Sequence, residues 1–137
     1  MDIEFGNAAQ LDTNDTGWFI GFSEWTKANL PSTTSLRYMP QARRAHTLCM
    51  KWMQHPAHDP RGIVKPASTG RTISILVSEL GGFRLEFSQR RDFPEDLFVR
   101  YILRRHGDFV IWGENLYHRW FADADSTILT LRWVPEE

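Results

Sequence analysis

The residues best able to do chemistry are gathered in one stretch, GDFVIWGENLYHRW from Gly107 to Trp120, which sets His118 among turn and aromatic residues. Gly107 tolerates positive φ and Asp108 tolerates turn geometry, so the pair reverses the chain. Phe109–Trp112 then reads as a short apolar strand, Gly113-Glu114-Asn115 as a second reversal, and Tyr117–Phe121 as an aromatic strand. His118 and Trp120 share a face of that strand, with Trp112 on the adjoining one. A histidine flanked by two indoles suits the wall of a small-molecule cavity. Arg71, Arg84 or Arg132 would add a guanidinium fork for a carboxylate, so the expected ligand is a small planar or sugar-like acid. Two more of the five histidines, His55 and His58, fall in the turn segment His55-Pro56-Ala57-His58-Asp59-Pro60-Arg61-Gly62. The chain offers neither a phosphate-cradling glycine loop nor a Ser/His/Asp arrangement, and no catalytic residue is assigned.

Strands must position these groups. Gly17–Phe22 reads as a first short buried strand, preceded by a polar, acidic N-terminal arm of residues 1–16 that pairs with a sheet edge or a partner subunit. Ala28–Ala45, with Pro31 and Pro40, reads as loop with an edge pairing near Leu36–Tyr38. Thr47–Gln54 places Leu48, Met50 and Trp52 on one face. Arg71–Ser78, the Glu79-Leu80-Gly81-Gly82 turn and Phe83–Ser88 read as the clearest hairpin, alternating Ile73, Ile75 and Val77 and then Phe83, Leu85 and Phe87. Gln89–Asp96 is a charged connection where a short helical turn fits, and Phe98–Leu103 and Thr127–Trp133 complete about eight strands. Regular turn spacing without a long amphipathic helix predicts an all-β barrel or sandwich in one domain, residues 17–137.

The spacing Gly107-Asp108, four residues, a turn, then His118 resembles the second sequence motif of the cupins, with Gly113 in place of its proline and Asn115 in place of its second glycine. Lys51, Trp52 and His55, the Arg71-Thr72-x-Ser74-Ile75-Leu76 hairpin and the Leu129-Thr130-x-Arg132-Trp133 strand resemble short single-domain bacterial cupins of unassigned activity. The resemblance implies a cupin-type β-barrel, that is, a double-stranded β-helix or jelly roll. It further implies a divalent transition metal (Fe, Mn, Ni, Cu or Zn) held by imidazole and carboxylate, with a position open for substrate. The usual His-x-His pair would fall near Ala67–Gly70 and its carboxylate near Ser74; this chain has neither. The nearest substitutes are His55, His58 and His118, joined by Glu86.

At 137 residues and a net charge of −1, the chain shows no bias toward nucleic acid or anionic lipid. No apolar run reaches the ~18 residues of a membrane span and no leader-like segment opens the chain, so a soluble cytoplasmic protein is expected. Cys49, the one cysteine, reads as a buried core thiol. Three functions remain open: a small-molecule-binding barrel around His118, a metal-dependent enzyme of dioxygenase or isomerase type, and an interaction module forming a homodimer through sheet edges.

Overall fold

The computed structural model describes residues 1–13, 15–22, 36–39, 44–59 and 63–136. Its strands form where apolar side chains recur at every second position or run between turn residues. In chain order they are β1 (Ile3–Asn7), β2 (Gly21–Phe22), β3 (Tyr38–Met39), β4 (Ala45–His55), β5 (Arg71–Leu76), β6 (Leu80–Ser88), β7 (Phe98–Arg105), β8 (Asp108–Trp112), β9 (Tyr117–Ala124) and β10 (Ser126–Pro135). One antiparallel sheet runs β1-β8-β5-β10-β4, a second runs β7-β6-β9, and β2 pairs in parallel with β3.

Segment 63–69 borders β9 and widens the second sheet: Lys65 N donates to His118 O at 3.0 Å, Ser68 N to Leu116 O at 2.8 Å and Asn115 N to Ser68 O at 2.8 Å. From β4 onward the chain passes from one sheet to the other at nearly every connection. That wrapping is the jelly roll, or double-stranded β-helix, expected from the cupin resemblance.

Between the sheets, Phe83, Leu85 and Phe87 of β6 meet Leu76, Val110, Trp112 and Ile128 from the facing sheet. Side chains buried this completely contribute about 1.5–3 kcal/mol each. A second core lies on the outer face of the first sheet, where Leu36, Met39, Phe19 and Ile20 cover Ile73, Phe109, Ile111 and Trp133. Arg37 fastens this cover to β1 through an ion pair with Glu4 at 2.8 Å.

Several expectations change in detail. The N-terminal arm is built into the sheet edge, Ile3 to Asn7 pairing with Trp112 to Asp108. The strand expected over Gly17–Phe22 contracts to its last two residues. A 3₁₀ turn occurs at Ala8–Gln10, capped by Asn7, while the charged connection before β7 is built of turns. The loop expected over Ala28–Ala45 lies mostly outside the described residues. Cys49 is exposed rather than buried, because β4 is an edge strand whose one described neighbour is β10. Its outer face is open as well, with Leu48 72%, Met50 65% and Trp52 60% exposed.

Candidate functional site

The site begins with the corner that launches β8. Gly107 has φ of 89°, and Asp108 accepts from Asn7 Nδ2 and from the Arg104 and Arg105 amides, each at 2.9 Å. Burial opposes the Asp108 charge, but the bonds from Asn7, Arg105 and Arg104 outweigh it and hold the carboxyl below its ordinary range. The next reversal is set by Asn115 at φ 63° and by Ser68, whose hydroxyl donates to Gly113 O at 2.6 Å and accepts from Leu116 N at 3.0 Å. Asparagine adopts this left-handed geometry at lower strain than other side-chain-bearing residues. Two residues beyond the pinned turn, His118 enters the interior, followed on the same face by Trp120.

There the two sheets enclose a cavity of about 570 Å³. One wall is polar and cationic: Lys51 and His55 of β4, Thr72 and Ser74 of β5, and Thr130 and Arg132 of β10. These residues stand in register, Thr130 opposite both Ser74 and Lys51, and Arg132 opposite Thr72. Ser74 Oγ and Thr130 Oγ1 lie 2.9 Å apart, and Arg132 Nε donates to Thr72 Oγ1 at 2.9 Å. The other wall is apolar and aromatic, with Phe83, Leu85 and Trp120. Phe83 and Trp120 stack at 5.2 Å, and the His55 ring lies 4.4 Å from that of Trp120. Trp112 and His118, with ring centroids 5.1 Å apart, also line the cavity. Lys65 on segment 63–69 adds a further cation.

Two buried nitrogens here, Trp112 Nε1 and His118 Nδ1, have no hydrogen-bond partner among the described residues. Such groups cost about 1–3 kcal/mol when left unsatisfied. Burial, followed by the charges of Arg132, Lys65 and Lys51, lowers the His118 pKa to about 4, so its ring is neutral at physiological pH. Lys51 also lies below its ordinary value, first through partial desolvation and then through Lys65 and Arg132.

Of the residues expected in the ligand pocket, His118, Trp120, Trp112 and Arg132 come together. Arg71 does not, since its guanidinium donates to the Leu36 and Tyr38 carbonyls on the outer side of the sheet. Arg84 alternates with the inward Phe83 and Leu85, and so faces away toward Asp123 and Glu86. Glu86 points the same way and is 1% exposed, its carboxylate taken by Arg100 and Arg119 at 2.7 Å each and Arg84 at 3.1 Å. Of the three histidines suggested for a metal, His55 and His118 line the cavity while His58 is exposed outside it. His55 Nδ1 lies 3.7 Å from an Asp59 carboxylate oxygen.

Among the described residues no three His, Cys, Asp or Glu side chains gather as a metal site. A lining with two imidazoles, three cations and no carboxylate does not fit a divalent ion. Lys51, Thr72, Ser74 and Thr130 entered the sequence reading only through the cupin resemblance and not as site residues, and Lys65 did not enter it. The available signal was parity, since Lys51 lies four residues before His55 on one strand face.

No family model and no curated protein sequence matches this chain. Among solved structures it is similar to hydroxypropylphosphonic acid epoxidase from S. wedmorenis, at 10% identity and TM-score 0.49, over 69% of this chain and 56% of that one. It is also similar to iron(II) HppE in complex with substrate, at 10% identity and TM-score 0.47, over 62% of this chain and 46% of that one. The match to cobalt(II) HppE in complex with substrate has the same identity and TM-score and covers 44% of that chain. This chain therefore spans about half the length of those proteins, and the metals and substrates in their names are theirs.

Proposed function

We propose that this chain is a small-molecule-binding jelly roll whose ligand occupies the cavity around His118, Trp112 and Trp120. The observation that carries the reading is the cavity between the sheets, in which His118, Trp112 and Trp120 face a polar wall of Lys51, Thr72, Ser74, Thr130 and Arg132. A cavity of about 570 Å³ lies within the size range of ligand sites, and its mixed wall offers both apolar area and directional contacts.

The test is a thermal-shift screen of chemically diverse small molecules against the wild type and Trp120→Ala. Compounds that raise Tm in the wild type and lose the effect in the variant support the reading. Stabilisation that is equal in both proteins, or absent across the screen, overturns it.

A second reading, self-association, is favoured by β4. Among the described residues one backbone edge of this strand has no partner and its apolar face is exposed, and Ala45–His55 contains no proline and one lysine to discourage pairing. A second copy fits this edge because two identical strands pair antiparallel about a two-fold axis, each donating to the other.

A further inference from the structure

We propose that the occupant of the cavity is an acid, a small molecule whose oxyanion head is held by Lys51, Lys65 and Arg132 and whose planar or apolar body lies against Phe83, Leu85 and Trp120. The inference rests on the ligand-site reading and adds the chemical class. Elsewhere several arginines are matched with carboxylates: Arg37 with Glu4, and Arg84, Arg100 and Arg119 with Glu86. The cavity departs from that practice. It is lined by three cations and no carboxylate, and no ion pair joins Lys51, Lys65 or Arg132 to an acid among the described residues. Three like charges around one cavity repel, and a bound anion reverses the sign of that interaction.

Donor directions agree. Thr72 Oγ1 accepts from Arg132 Nε, which orients the guanidinium and leaves the threonine O–H free to donate. A planar fork flanked by ammonium and hydroxyl donors is suited to carboxylate or phosphate oxygens. The facing wall offers a stacked aromatic pair and aliphatic contact, which hold an apolar body and fix its direction.

The test is isothermal titration of the full chain with matched pairs: benzoate and benzamide, 2-naphthoate and 2-naphthamide, 2-naphthyl phosphate and 2-naphthol, with inorganic phosphate alone as a further probe. The acids are expected to bind about tenfold or more tightly than their neutral partners, the preference falling as salt rises. Lys51→Gln and Lys65→Gln, both at exposed positions that leave the core untouched, are each expected to remove most of that preference without weakening the neutral compounds. A lead for either the carboxylate or the phosphate arm supports the inference and identifies the head group. Equal binding of acid and neutral partner, or a preference that survives both lysine substitutions combined, overturns the acid inference while leaving the cavity as a ligand site. Failure of every probe, charged and neutral, overturns both.

Discussion

Burial favours the neutral ring of His118, and the neighbouring Arg132, Lys65 and Lys51 add to that preference, bringing its pKa from 6.5 down to about 4. The unfolded chain therefore binds a proton near 6.5 that the folded chain accepts only near 4, so acidification through this window favours unfolding. The expected loss is about 3 kcal/mol on passing from the upper to the lower value. Asp108 and Glu86, whose pKa values are lowered in the fold, lose their own contributions at lower pH, below the usual carboxylate values. The difference between wild type and His118→Gln thus isolates the imidazole. Denaturant titrations from pH 7 to 4 should show the wild type losing stability more steeply, and parallel profiles would refute the assignment. Glu86 calls for a separate measurement. Its burial works against the charge, but hydrogen bonds from Arg100, Arg119 and Arg84 prevail and hold it ionised. Glu86→Gln leaves three arginines without their shared acid and is expected to cost about 3 kcal/mol in chemical denaturation while leaving ligand affinity unchanged.

At the scale of elements, the reversal before β9 decides where His118 points. Asn115, at φ 63°, is expected to tolerate glycine with little loss, whereas Asn115→Ala should cost about 1–2 kcal/mol in denaturation midpoint analysis. Equal stability of the two variants would show that the turn relaxes around alanine. This element was legible from sequence because Gly107, Asp108 and Asn115 are turn residues whose conformational preferences are local. Ser68, which pins the same turn from 45 residues away, was not legible, since a serine between alanine and threonine carries no mark of its distant partners. The edge strand β4 gives the next expectation. Met50→Lys is expected to shift the chain from dimer to monomer in light scattering while preserving the circular dichroism of the fold. A wild type that is monomeric at high micromolar concentration would remove the pairing proposed for this edge.

Across the whole molecule, turn spacing predicted the all-β architecture, whereas the hairpin expected over residues 71–88 does not form: β5 pairs with β8 and β10 in one sheet and β6 with β7 and β9 in the other. Alternation picked out the inward Phe83, Leu85 and Phe87 of β6, but on β5 the Ile73 and Ile75 it grouped turn to the outer core while Thr72, Ser74 and Leu76 face inward. Alternation alone did not reveal which inward positions meet the core and which meet the cavity. Leu76 and Thr72 share a face of β5, yet one packs against Phe83 and Leu85 while the other orients Arg132. Arg84 and Arg132 look alike as strand arginines, and they separate only when the sheets stack, because β6 and β10 turn different parities toward the interior. The metal set proposed from the histidines divided for a similar reason: His55 ends a strand whose odd positions face inward, whereas His58, at φ 65°, sits in the turn beyond it.

The two walls of the cavity belong to different sheets, the cationic one to β4, β5 and β10, with Lys65 the one cation beside β9, and the aromatic one chiefly to β6 and β9. No strand of one wall pairs with a strand of the other, and the walls are joined by the β5–β6 and β9–β10 connections. Substitutions that retune charge recognition and substitutions that reshape the apolar half can therefore accumulate separately, each constrained mainly by its own sheet. Such a scaffold can diversify its ligand one half at a time, which makes it a natural starting point for evolving new specificities in the laboratory.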